Sequence, residues 1–137
     1  MELYTASILG ILALCLLTVL LAVLSGSSKG RMGGMAGPVV PADDANPLYR
    51  IDRVHMNAVE SLAAFTVPAV IAMLVGVGPT TLAVLVWLFV AIRLVHLVVY
   101  LRGGAPARGG SLRTVLYVAG ALVCLALIVV TAWTAIV

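Results

Sequence analysis

The sequence predicts an all-α integral membrane protein, a bundle of four transmembrane helices, and three observations lead there. Of 137 residues, 64% are hydrophobic and only 9% charged, with a mean hydropathy of +1.23. A water-soluble fold of this length must keep a largely polar rim, whereas lipid accepts apolar side chains freely. The apolar residues fall into four stretches, at about 3–24, 61–77, 80–101 and 112–137, and about 20 mainly apolar residues cross ~30 Å of hydrocarbon as a helix. Lysine and arginine, finally, gather in the first and third connections between these stretches.

The first helix is expected over 3–24. Glu2 stands where a signal peptide carries a basic region, and the apolar run exceeds the usual ~7 to 15 residues, so it reads as a retained span. Residues 25–46, opening SGSSKGRMGG, read as a flexible loop. Its glycines lack the G-x-x-x-x-G-K-[ST] spacing of a phosphate-binding loop, and no strand precedes them.

Asn46 followed by Pro47 is a helix start, because asparagine caps free N–H groups and proline suits the first turn. The second helix is expected over 47–76 and so begins outside the hydrocarbon. Gly76, Gly78 and Pro79 make an uncharged turn, a third helix follows over 79–102 ending at Gly103 and Gly104, and Ser111 caps a fourth over 111–136.

The cations set an expected topology. Lys29, Arg31, Arg50 and Arg53 belong to the first connection, and Arg102, Arg108 and Arg113 to the third. With four spans both connections share one side, which the positive-inside rule makes cytoplasmic: residues 25–52 and 102–113 inside, both termini opposite. That topology accounts for the net charge of +3 and the pI near 9.2, so no nucleic-acid partner is called for. Cys15 and Cys124 lie within apolar helices without a C-x-x-C partner and read as small buried hydrophobes. No metal site is expected.

Three helices carry polar stripes. Arg53, Asn57 and Glu60 share a face of the second; Arg93, His96 and Tyr100 align on the third; Arg113 and Tyr117 lie one turn apart on the fourth. With Arg53, Arg102 and Arg113 at the interface, Glu60 lies ~10 Å deep, His96 ~9 Å, Arg93 ~13 Å and Tyr117 ~6 Å. The stripes converge at one level. A charged arginine in lipid costs at least ~2.5 kcal/mol, so Arg93 must face protein, with Glu60 its natural partner. Taken singly, an ion pair between helices, an interhelical histidine or interfacial tyrosines would be ordinary structural features. Together they suggest a pocket for a small polar anion, with apolar walls admitting a lipophilic molecule from the bilayer.

These residues resemble the MAPEG family, the membrane-associated proteins in eicosanoid and glutathione metabolism. The pattern R-x-x-R-x-H-x-N-x-x-E is present as Arg50, Arg53, His55, Asn57 and Glu60; R-x-x-H-x-x-x-Y as Arg93, His96 and Tyr100; and R-[ST]-x-x-Y as Arg113, Thr114 and Tyr117. The resemblance implies a homotrimer with glutathione bound between subunits at the cytoplasmic side. It implies that Arg113 promotes the glutathione thiolate, assisted by Thr114, while Arg53, Asn57, Glu60, Arg93, His96, Tyr100 and Tyr117 hold the peptide. A guanidinium beside sulfur favours thiolate over thiol, which makes the nucleophile available. Met56 departs from the pattern, standing where several relatives have an arginine.

The expected function is a glutathione-dependent membrane transferase or peroxidase acting on lipophilic electrophiles or lipid hydroperoxides. The alternative is a non-catalytic protein of the same fold that binds and presents a lipid. A four-helix multidrug exporter would resemble its kind in a membrane glutamate on the first helix, which has no charge between Leu3 and Leu24 here. A disulfide-generating quinone enzyme would need paired loop cysteines, and there are none.

Overall fold

The computed structural model describes residues 2–31, 40–103 and 111–137. Arg108, Gly104 and the 32–39 part of the first connection lie outside the described residues.

After a short 3-10 turn at Glu2–Tyr4, the chain forms α1 (Thr5–Arg31), α2 (Pro47–Leu74), α3 (Pro79–Arg102) and α4 (Leu112–Ile136). All four are long and apolar enough to span a membrane. Their boundaries follow local chemistry. Asn46 accepts a hydrogen bond from the Leu48 N–H at 2.9 Å, ahead of Pro47 at the first position of α2. Gly76, at φ 85°, turns the chain after α2 and allows the Val77 N–H to reach the Ala72 carbonyl at 2.9 Å. Gly103, at φ 68°, closes α3, and Ser111 caps α4 through the Thr114 N–H.

The end of α1 differs from the sequence expectation of 3–24 followed by a loop from residue 25. The helix runs on to Arg31 through Ser25, Gly26, Ser27 and Ser28, residues of poor helix propensity. Tertiary contacts hold this extension. Ser25 Oγ donates to Asp52 Oδ1 at 2.9 Å, and Lys29, one turn on, pairs with the same oxygen at 2.6 Å. Asp52 thus fastens the tail of α1 to α2.

α2 and α3 pack against each other, and each also packs against α1 and α4, which stand on opposite flanks. The core of this diamond is Phe65 stacked on Phe89, with ring centroids 4.0 Å apart and planes at 3°. Ala69, Ala72, Leu82, Val86 and Leu127 surround the pair. At one end, Tyr4 Oη donates to the Val77 carbonyl at 2.7 Å and Trp87 Nε1 to the Ala6 carbonyl at 3.1 Å. Two ion pairs, Lys29 with Asp52 and Arg113 with Asp44, mark the other. The outward faces present leucine and valine, including Leu9, Leu12, Leu16, Val84, Leu122 and Val129. Such a surface is compatible with lipid and would aggregate in water.

Candidate functional site

The charged end is built in layers, and Arg93 forms the deepest. It is buried, and its Nη2 donates both to the Asn57 carbonyl and to Ser61 Oγ across the α2–α3 interface. Its guanidinium carbon lies 5.5 Å from the Phe89 ring centroid. Gly120 on α4 packs beside it, with Arg93 Nη1 at ordinary van der Waals distance, 3.9 Å, from where a Cβ would stand.

The expected Arg93–Glu60 ion pair is absent among the described residues. The cause lies in helical phase. Asn57 and Ser61 face α3, whereas Glu60 is turned about 60° away from Asn57 around the α2 axis and is exposed on the outside of the bundle. Neutral oxygens therefore hold the cation. Glu60 does border the same cavity as Arg93, a space of about 260 Å³ between α2, α3 and α4. Asn57, Ser61, Arg93 and Tyr117 make its polar part; Phe89, Leu125 and Ile128 are among its apolar walls.

His96, one turn nearer the charged end, is buried and makes no side-chain hydrogen bond among the described residues. Its ring is tilted 54° to that of Tyr100, 5.6 Å away. Tyr100 in turn carries Arg113, whose guanidinium carbon sits 4.3 Å above the ring. Arg113 is 7% exposed, which is low for a residue in the first turn of a helix. Its Nη1 lies 3.1 Å from Asp44 Oδ1. The alignment is not that of a hydrogen bond, and neither terminal nitrogen has a hydrogen-bond partner among the described residues. The contact is thus mainly Coulombic.

Arg93, Asn57, His96, Tyr100 and Arg113 are brought together in the interior of one end. Glu60, Tyr117 and Thr114 are exposed on the outer surface of the bundle, although Glu60 and Tyr117 border the same cavity as Asn57 and Arg93. Thr114 shares its hydroxyl with Ser111 Oγ at 3.1 Å, as part of the α4 cap, and is exposed where Arg113 is buried. Arg53 is half-buried and makes no side-chain hydrogen bond or ion pair among the described residues.

Sequence reasoning missed three participants. Ser61 follows Asn57 by one helical turn, a spacing that would have revealed it. Arg50 is part of the first motif but had no role; it donates through Nη1 to the Asp44 carbonyl at 2.7 Å and to the Ala45 carbonyl at 3.1 Å. Asp44 lies in a loop, where no periodicity identifies a partner.

Four membrane-length helices around a cation-rich interior at one end define a multi-pass integral membrane bundle. The chain belongs to the MAPEG family, whose model matches residues 4–133. The family is one of membrane proteins in eicosanoid and glutathione metabolism. No match was found among curated proteins.

Proposed function

We propose that the protein is a glutathione-dependent membrane transferase or peroxidase, with lipophilic electrophiles or lipid hydroperoxides as its second substrates. The observation that carries this reading is Arg113: a buried guanidinium over the Tyr100 ring, with both terminal nitrogens lacking hydrogen-bond partners among the described residues. Such a group stabilises an anion at the point where its charge appears.

In this scheme the glutathione thiol loses its proton to water and the thiolate rests against Arg113. Its sulfur then attacks the electrophilic carbon of a lipophilic substrate, forming the S–C bond as the leaving group departs with its bonding electron pair or, at an activated double bond, as the carbanion produced takes a proton from water. With a lipid hydroperoxide, two glutathiones are oxidised to the disulfide and the peroxide is reduced to an alcohol and water. Asn57, Arg93, His96 and Tyr100 form the inner wall of the peptide site, with Arg53 at its edge.

Glu60, Tyr117 and Thr114 have a role only if a neighbouring copy covers the outer face of α2 and α4. A carboxylate exposed to hydrocarbon is costly, which supports assembly into a homotrimer with the peptide between subunits. Thr114 then offers its hydroxyl to the sulfur from that interface. Distribution of cations supports placing the charged end at the cytoplasm and both termini on the opposite side.

The test is conjugation of a chromogenic electrophile by the purified protein. Activity should be glutathione-dependent and fall roughly 100-fold in Arg113→Ala; equal rates in the two proteins would remove the catalytic claim. A second reading, a non-catalytic lipid-presenting protein, is favoured by the apolar reach of the cavity towards Leu125 and Ile128 and by Met56 at a position where relatives carry an arginine. Calorimetry separates the two, because a lipid-only binder gives no saturable heat with glutathione.

A further inference from the structure

A carboxylate from the chain itself already stands against the Arg113 guanidinium. Asp44 Oδ1 is 3.1 Å from Arg113 Nη1, in a segment whose shape is tightly specified. Asp43 Oδ1 accepts from the Ala45 N–H at 2.9 Å, and the Asn46 N–H reaches the Asp43 carbonyl at 3.0 Å, folding residues 43–46 into a turn. Arg50 then grips the turn from α2 through the carbonyls of Asp44 and Ala45. The Arg50 guanidinium itself rests on Gly103, where a Cβ would come within 3.3 Å of its Cζ. The end of α3 is therefore shaped to let Arg50 hold the turn over Arg113.

We infer that Asp44 is a displaceable internal anion, seated by Arg50 on the face of Arg113 that binds a thiolate or carboxylate ligand, so that an anionic ligand enters by exchanging with it. The inference rests on the proposed use of Arg113. Two features fit an exchangeable occupant rather than a permanent ion pair. The contact lacks hydrogen-bond alignment, and the Asp44 side chain is 29% exposed while that of Arg113 is 8% exposed. Water reaches the carboxylate and can carry it away, whereas the cation stays desolvated and needs an anion at all times. Asp44 thus keeps Arg113 compensated while the site is empty, at the expense of competing with the ligand.

The experiment compares wild type with Asp44→Asn, Asp44→Glu and Arg50→Ala in lipid nanodiscs. The first readout needs no ligand: phenylglyoxal labelling of Arg113, followed by peptide mass spectrometry. A guanidinium no longer paired with a carboxylate is more open to the reagent, so Asp44→Asn should label roughly fivefold faster, the worth of a partly exposed ion pair. Arg50→Ala should move in the same direction, and Asp44→Glu should behave as wild type. The second readout is calorimetric titration with glutathione, where Asp44→Asn should bind roughly fivefold more tightly. Equal labelling rates in wild type and Asp44→Asn, or weaker glutathione binding in the variant, would overturn the inference. Faster labelling together with no glutathione binding by either protein would uphold Asp44 as the occupant and overturn the proposed function instead.

Discussion

The Arg93 guanidinium of α3 donates to the main-chain carbonyl of Asn57 on α2, so a cation deep in the bundle is held by an oxygen that no side-chain substitution at residue 57 can remove. The same guanidinium reaches Ser61 Oγ, which itself donates to the Asn57 carbonyl at 2.9 Å. α2 and α3 are joined there by a triangle of polar groups at the edge of a cavity.

Replacing Arg93 should therefore weaken the α2–α3 interface as well as the pocket. Arg93→Ala deletes two interhelical hydrogen bonds and enlarges the cavity, a change of about 2 to 4 kcal/mol. Thermal unfolding in detergent should show a Tm lowered by several degrees, with Asn57→Ala much milder because the carbonyl remains. Equal losses for the two variants would mean that the side chain of Asn57, rather than its backbone, is the anchor.

Gly10 on α1 is fixed by a close approach. A Cβ at this position would overlap Val86 Cγ1, and valine has little rotamer freedom to yield. Gly10→Ala should destabilise the bundle by about 1 to 3 kcal/mol and strain the Trp87 bond to the Ala6 carbonyl. Adding Val86→Ala should restore much of the loss. Thermal melts followed by tryptophan fluorescence measure both steps, and failure of the second substitution to rescue would place the strain elsewhere.

The tail of α1 depends on Asp52. With Ser25 and Lys29 no longer tied to α2, the run Ser25–Gly30 should fray, since its two glycines and three serines favour helix poorly. Asp52→Ala should thus speed tryptic cleavage after Lys29 and Arg31 several-fold while leaving the apolar spans intact. Unchanged cleavage would show that the extension is stable without the tie.

Most of the fold was legible in the sequence because lipid imposes a simple rule: apolar length defines a span, and capping residues punctuate it. Asn46, Pro47, Gly76, Gly103 and Ser111 fall where they end or begin helices. The end of α1 was not legible, because local propensity stops at Leu24 while a carboxylate 27 residues after Ser25 carries the helix to Arg31. At the site, depth and helical phase correctly sent Arg93 inward, since a cation cannot face lipid. Its partner was misread because the pairing was argued from charge alone. A backbone carbonyl and a serine hydroxyl carry no charge, and the choice of Glu60 ignored its rotation about α2. Asp44 escaped for a third reason, that loop residues find partners through tertiary folding alone.

Glu60 and Tyr117 supply a prediction about assembly. Both border the cavity yet face outward, so in the proposed homotrimer they meet a neighbouring subunit. Glu60→Gln should leave the melting temperature of the detergent-solubilised protein within a few degrees of wild type but weaken glutathione binding about tenfold, the loss of one charge-assisted contact. Native mass spectrometry should show three chains for wild type; a monomer that still binds glutathione would exclude the intersubunit site.

The central claim is that Arg113 makes a thiolate of glutathione. Ultraviolet difference spectra of the purified protein titrated with glutathione at neutral pH measure this directly, because thiolate and thiol differ in absorbance. Wild type should show a saturable thiolate band that is lost in Arg113→Ala. Saturable binding of glutathione with no thiolate band, or a band that persists in Arg113→Ala, would contradict the claim.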